Sequence, residues 1–212
     1  MKLSHIDHLV VTAPSLEVGV NYVEAALGAR PQPGGEHVAM GTHNALLRLG
    51  ERVYLEVITV NPAMLKPDRP RWFELDSPSA NATPRLAGWI ASTTDIRAAH
   101  AIQPETFGHI EPMSRGDIDW LITIPADGSL PLGGIAPTLL EWQVDYHPAS
   151  RLRDQGCSLI GLEGFHEDTE KITALLSAIN FQDKFSLHSI VEPGKAHLIA
   201  RIETPSGLRV LK

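Results

Sequence analysis

The sequence predicts an α+β protein assembled from repeated βαβββ modules. Three observations carry that prediction. Residues 5–62 read as a strand, a helix and three further strands; the same order returns over residues 85–146; and a shorter run over residues 157–212 begins the order a third time. A βαβββ unit cannot cover its own sheet face, so copies must pack on one another and leave a cleft between two of them.

The elements follow in order. Residues 6–12 form a β-branched, apolar run closed by Ala13-Pro14, the pattern of a buried strand. Ser15 suits a helix N-cap, residues 16–27 carry apolar side chains at spacings of three and four, and Gly28 supplies the stop. After the Gly- and Pro-containing stretch 31–35 come extended segments at 36–40, 45–49 and 52–60, the last two joined by a turn at Gly50-Glu51. A polar, Pro-rich linker spans residues 63–84 within the broader stretch 61–84. The second module then has a strand at 86–92, a helix at 95–101 and strands near 117–124 and 138–144. Aligning His8 on Gly88 and Glu56 on Glu141 gives offsets of 80 and 85 residues, which a short loop insertion near 125–137 reconciles. The third segment reads as a strand at 158–162, a helix at 168–179 and strands at 185–191, 196–203 and 208–211. Residues 1–150 are thus expected to form one two-module domain. The third segment is expected either to pack outside the pair or to meet its own copy in a homodimer.

Composition narrows the function classes. Among 212 residues, 18 are basic and 25 acidic, a net charge of −7, and no basic stripe exists of the kind that grips phosphate, which argues against nucleic acid as partner. Cys157 is the single cysteine, so neither an intrachain disulfide nor a cysteine-rich zinc site is possible, which fits a reducing, cytoplasmic setting. Polar residues interrupt the N-terminal stretch where a signal peptide would need its apolar core, and no stretch is apolar enough to span a membrane. The segment Pro31-Gln32-Pro33-Gly34-Gly35 lacks the glycine spacing and the strand-to-helix context of a phosphate loop.

Six short motifs in this order resemble the glyoxalase-like domain of the vicinal oxygen chelate superfamily: Ile6-Asp7-His8-Leu9-Val10-Val11, Gly41-Thr42-His43-Asn44-Ala45-Leu46, Tyr54-Leu55-Glu56, Arg71-Trp72-Phe73, Pro112-Met113-Ser114-Arg115, and Leu140-Glu141-Trp142 with His147-Pro148. The resemblance covers roughly residues 5–150. It implies two modules forming a curved half-open sheet, with a divalent ion held on the first and last strands of each module. Carried over residue by residue, it implies His8, Glu56 and Glu141 as metal ligands. Gly88 occupies the fourth position and offers no side chain.

The residues themselves admit two readings. Glu56 and Glu141 sit in apolar strands, where a carboxylate needs a cation or hydrogen-bond donors; each serves as a ligand or acid/base group, or forms a structural ion pair. His8 is a ligand or a hydrogen-bonded core histidine. One histidine and two carboxylates would suit Mn, Fe, Ni or Zn with open positions. His43 and Asn44 line a cleft mouth or shape a turn; Arg71, Trp72 and Arg115 anchor a substrate or pack as loop residues. Two functions follow. One is a metal-dependent lyase or isomerase that stabilises an oxyanion while Glu56 or Glu141 moves a proton, with a dioxygenase less favoured. The other is a metal-free small-molecule binding or resistance protein.

Overall fold

The computed structural model describes residues 3–191 and 195–212. Residues 1–2 of the expected two-module domain and 192–194 of the third segment lie outside the described residues. Among the described residues twelve strands form two sheets, accompanied by four α-helices. The first module comprises β1 (Ser4–Thr12), α1 (Leu16–Leu27), β2 (Gln32–His37), β3 (Thr42–Arg48) and β4 (Tyr54–Val60). The second comprises β5 (Arg85–Thr93), α2 (Ile96–His100), α3 (Pro104–Phe107), β6 (His109–Arg115), β7 (Ile118–Ile124) and β8 (Thr138–Trp142). The third contains β9 (Ser158–His166), α4 (Thr169–Ala178), β10 (Phe185–Ser189), β11 (His197–Thr204) and β12 (Gly207–Leu211).

The first two modules form one curled, eight-stranded half-barrel in the order β2-β3-β4-β1-β5-β8-β7-β6. Each first strand lies parallel to the last strand of its own module, and β1 and β5 meet antiparallel at the centre. The two modules therefore place equivalent strands side by side. Both central strands carry a bulge in their shared register: Asp7 is the extra residue of β1 and Ala87 that of β5. These bulges are 80 residues apart, which fits the predicted equivalence of His8 and Gly88.

Strand alternation divides the side chains between two cores. Leu9, Val11, Leu55, Val57, Trp89, Ala91 and Leu139 face outward and pack against the helices. Val10, Ile58, Ile90, Ile122 and Leu140 face the concave side, where Trp72, Phe73 and Leu75 of the 61–84 segment cover them. That linker is a strap over the cleft. Helix α1 starts as predicted, with the Ser15 side chain accepting from the Val18 amide, and ends at Gly28, whose φ of 70° a side chain would disfavour.

Two elements depart from expectation. Strand β2 begins at Gln32, and Val38–Met40 is a short 3-10 turn where the strand was predicted. Gly34 and Gly35 hide the alternation there, and Pro33 is tolerated because β2 is an edge strand. Strand β6 was not anticipated at all. It is the opposite edge, with Pro112 in its middle and half-exposed residues along its length, so neither periodicity nor composition marks it as a strand.

The third module builds its own four-stranded sheet, in the order β10-β9-β11-β12. Leu162, Leu198, Ala200 and Ile202 join the outer core of the half-barrel, and Trp89 meets Phe181 and Phe185 with ring centroids 5.2 Å from each. Trp89 thus lies in the outer core, its indole N–H donating to the Ile135 carbonyl at 2.9 Å, and it does not narrow the cleft.

Candidate functional site

The bulge at Asp7 brings two consecutive residues of β1 into one buried polar network. Asp7 is fully buried and accepts from three side chains: His8 Nδ1 at 2.7 Å, Trp142 Nε1 at 2.8 Å and His147 Nε2 at 3.0 Å. The Ala149 amide donates to His147 Nδ1, which fixes His147 with its proton on Nε2, toward Asp7. On the other side of the His8 ring, Nε2 lies 3.5 Å from Glu56 Oε2 on β4. Asn44 of β3 donates to Glu56 Oε1 at 2.5 Å, and its own oxygen accepts from the Gly35 amide at 2.8 Å. The chain of contacts runs from His147 through Asp7, His8 and Glu56 to Asn44 and β2.

The charges of this network follow from its partners. Burial raises the Asp7 carboxyl, but the hydrogen bonds from His147 and His8 outweigh it and hold the group well below the usual range. Burial lowers His8, yet Asp7 and Glu56 reverse that and push it up to about 8. Burial likewise opposes ionisation of Glu56, which the His8 hydrogen bond and charge, then His37 and Asn44, bring down to about 2. At neutral pH the centre is an imidazolium between two carboxylates.

His8 and Glu56 sit at the floor of a cavity of about 30 Å³, room for one or two water molecules. Its walls are Tyr54, Trp72, Phe73, Trp120, Ile122, Leu140 and Trp142, with His37 and Arg115 as the remaining polar lining. Tyr54 stacks on His8 at 4.4 Å. His37 is held low, at about 4, chiefly by burial, so its ring is neutral. Arg115 can only donate, so its approach to within 3.5 Å of His37 Nε2 places the His37 proton on Nδ1, facing Thr42 Oγ1 at 3.1 Å.

The six expected site residues besides His8 and Glu56 divide. Asn44, Trp72 and Arg115 reach the cleft or its polar network. His43 does not: it lies in a groove beside α1, with Leu16, Val60 and Pro62. Arg71 is a correction too. It is buried and bound by Asp76 at 2.6 Å and by the Met40 carbonyl at 3.0 Å, so it fastens the strap to the sheet and has no free guanidinium for a substrate. Glu141 is the largest correction. Leu140 and Trp142 line the cavity, so the intervening Glu141 points to the opposite face, where it accepts from the Ile96 amide at 2.8 Å and from Gln143. The paired Leu-Glu steps of β4 and β8 are one residue out of phase, and a one-residue slip turns a strand side chain to the other face.

The implied four-residue metal chelate does not fit this donor set. His8 and Glu56 meet, but Glu141 lies on the far face, and a Cβ built on Gly88 would meet Leu130 Cδ2 at 3.0 Å, so the fourth position is filled by an apolar side chain. Among the described residues no group of three His, Cys, Asp or Glu side chains is placed to hold an ion. Sequence reasoning missed Asp7, His37 and His147 as parts of the site. The adjacent Asp7-His8 pair was a usable signal, since strand alternation separates such neighbours unless a bulge intervenes.

A paired-module half-barrel with a buried acid–histidine–acid centre in its concave cleft defines a protein of the vicinal oxygen chelate fold. The model of the family described as glyoxalase-like domain matches residues 6–179, and the chain belongs to that family. A hypothetical protein from Staphylococcus aureus shares the fold, with a TM-score of 0.65 at 13% identity over 99% of this chain and 98% of that one. A Streptomyces coelicolor methylmalonyl-CoA epimerase, solved with 2-nitronate-propionyl-CoA, aligns with a TM-score of 0.44 at 18% identity, over 66% of this chain and 97% of its own. A catechol 2,3-dioxygenase gives 0.39 at 14% identity, over 82% and 55%. No curated protein sequence matches the chain significantly. Among the described residues no helix is long and apolar enough to cross a membrane.

Proposed function

We propose that the concave cleft is an acid–base site that moves a proton at the carbon beside a carbonyl group of a small molecule, using His8 and Glu56 rather than a four-residue metal chelate. One observation carries this reading: His8 is wedged between Asp7 and Glu56 in the lining of a small, aromatic-walled cavity. Glu56 Oε2 takes the C–H proton, and the electron pair moves onto the carbonyl oxygen. The His8 Nε2–H stabilises that developing oxyanion and gives it its own proton; the oxygen then hands that proton back to His8 as Glu56, after exchange with solvent, delivers a proton to the carbon. Asp7 fixes the ring with Nε2 toward the cavity, and Asn44 holds the second Glu56 oxygen so that Oε2 remains the reactive one. Trp72 and Phe73 of the strap put apolar surface against the site, and in such low-polarity surroundings each of these interactions is stronger.

The five aromatic walls Tyr54, Trp72, Phe73, Trp120 and Trp142 also favour the second reading, sequestration of a small ligand without turnover. Deuterium exchange separates the two. In D₂O, chelator-treated protein is expected to exchange the hydrogens beside the carbonyl of small 2-oxo acids or hydroxycarbonyls, followed by proton NMR, and Glu56→Gln lowers that rate at least about 100-fold. Exchange that appears only on addition of Mn, Fe, Ni or Zn, or that survives Glu56→Gln, overturns the proposal. Binding without exchange assigns the cleft to sequestration.

A further inference from the structure

We infer that Arg115 is an anion receptor built into the cleft and that the ligand it receives is a compact carboxylate, one whose carboxylate group sits on the guanidinium while the adjacent carbon faces His8 and Glu56. The inference rests on the acid–base reading for the second contact and on separate observations for the first.

Arg115 ends β6, one edge of the half-barrel, and its side chain crosses to β2, the other edge. A Cβ on Gly35 would lie 2.7 Å from Arg115 Cδ and 3.3 Å from Nε, so the stem occupies the space that any other residue at 35 would fill. Gly34 does the same for the polar network: its Cβ would lie 2.1 Å from Asn44 Oδ1. The register shift between Pro33 and Glu36 thus makes room for two side chains of the site at once. This is the segment that fails as a phosphate loop; its glycines clear space for Asn44 and Arg115.

The guanidinium that this arrangement delivers to the cavity has no counter-charge. Among the described residues Arg115 forms no ion pair, and its one contact at hydrogen-bond range is the His37 ring nitrogen at 3.5 Å, a neutral group. The cleft carboxylates are engaged elsewhere: Asp7 with its three donors, Glu56 with Asn44 and His8. Trp72, in the same lining, keeps its indole N–H buried without any hydrogen-bond partner. A buried N–H left unpaired is costly, and a cation with free, forked donors matches a carboxylate bidentately. The cavity itself holds no more than the reacting end of a ligand, so the ligand is compact and keeps its carboxylate on the partly exposed Arg115 guanidinium, as a 2-oxo or 2-hydroxy acid can.

The test compares pyruvate with its neutral isostere pyruvamide on the full chain, read as quenching of tryptophan fluorescence and checked by saturation-transfer NMR. The wild type is expected to bind pyruvate at least tenfold more tightly than pyruvamide. Arg115→Gln removes that preference while leaving pyruvamide binding in place, and Arg115→Lys restores part of it. Gly35→Val, which displaces the stem without removing the charge, also weakens pyruvate selectively, and an unchanged circular dichroism spectrum shows that each variant is folded. No saturable pyruvate binding, no preference in the wild type, or a preference that survives Arg115→Gln overturns the assignment. A preference without deuterium exchange leaves Arg115 as the receptor and removes the acid–base reading. Equal exchange on both compounds, unchanged in Arg115→Gln, does the reverse.

Discussion

The two modules of the half-barrel occupy equivalent positions and do opposite jobs. The first places Asp7 in the bulge of β1, His8 after it and Glu56 on β4; the second places Ala87 in the matching bulge of β5, Gly88 after it, and Leu140 and Trp142 on the cleft side of β8. One half carries the acid–histidine–acid centre, and the other supplies Trp120, Ile122, Leu140 and Trp142 of the wall together with Arg115. The difference shows that a duplicated scaffold need not keep duplicated chemistry: buried charges survive only where every one of them has a partner, and the first module sets Asp7, His8, Glu56 and Asn44 within reach of one another. The second module contributes to that network from its periphery, through Trp142 and through His147 just beyond it.

The contrast can be broken most severely at Asp7. Asp7→Ala installs in the first bulge the residue that the second already has, and strips a buried imidazole, a second histidine and an indole N–H of their common acceptor. It should cost about 3–5 kcal/mol in urea unfolding; a loss below about 1 kcal/mol would show that the network is not integral to the fold. The converse change, Gly88→His, tries to give the second module the first module's histidine. With Leu130 already against that position, overpacking should cost about 1–3 kcal/mol, and the double variant Gly88→His/Leu130→Ala should recover part of the lost thermal stability. The smallest effect is expected at Glu141. Removing its carboxylate by Glu141→Ala deprives the first amide of α2 of an acceptor and should cost about 1 kcal/mol, with pyruvate affinity unchanged. A change in affinity would mean that Glu141 communicates with the cleft after all.

Much of the scaffold was legible because its strands obey simple periodicity. The apolar runs of β1, β4 and β5, the capped helix α1 and the recurrence of the module order gave the paired architecture, and the repeat offset of 80 matches the two bulges. The edges were not legible, since Pro33, Gly34, Gly35 and Pro112 erase the alternating pattern that marks a strand. In the candidate site, His8 and Glu56 were singled out by the family resemblance together with their buried setting and repeat position, and the fold brings them together. Glu141 failed by one residue of phase, and Arg71 failed because a cation beside an aromatic in a loop looks the same whether it meets a substrate or Asp76.

By itself the sequence determined the central strands and the capped helix α1, that modules must pair, and that His8, Glu56 and Glu141 would be hard to bury without partners. Those outcomes depend on local periodicity and on the solvation cost of charge, both of which are written along the chain. Only the tertiary structure decided which face of β8 meets the cleft, that Asp7 gathers three donors, that Leu130 fills the place opposite Gly88, and that Gly35 lets Arg115 cross between the two sheet edges. Each of these turns on strand phase or on contact between residues far apart in sequence, and a shift of one residue or about one ångström reverses it.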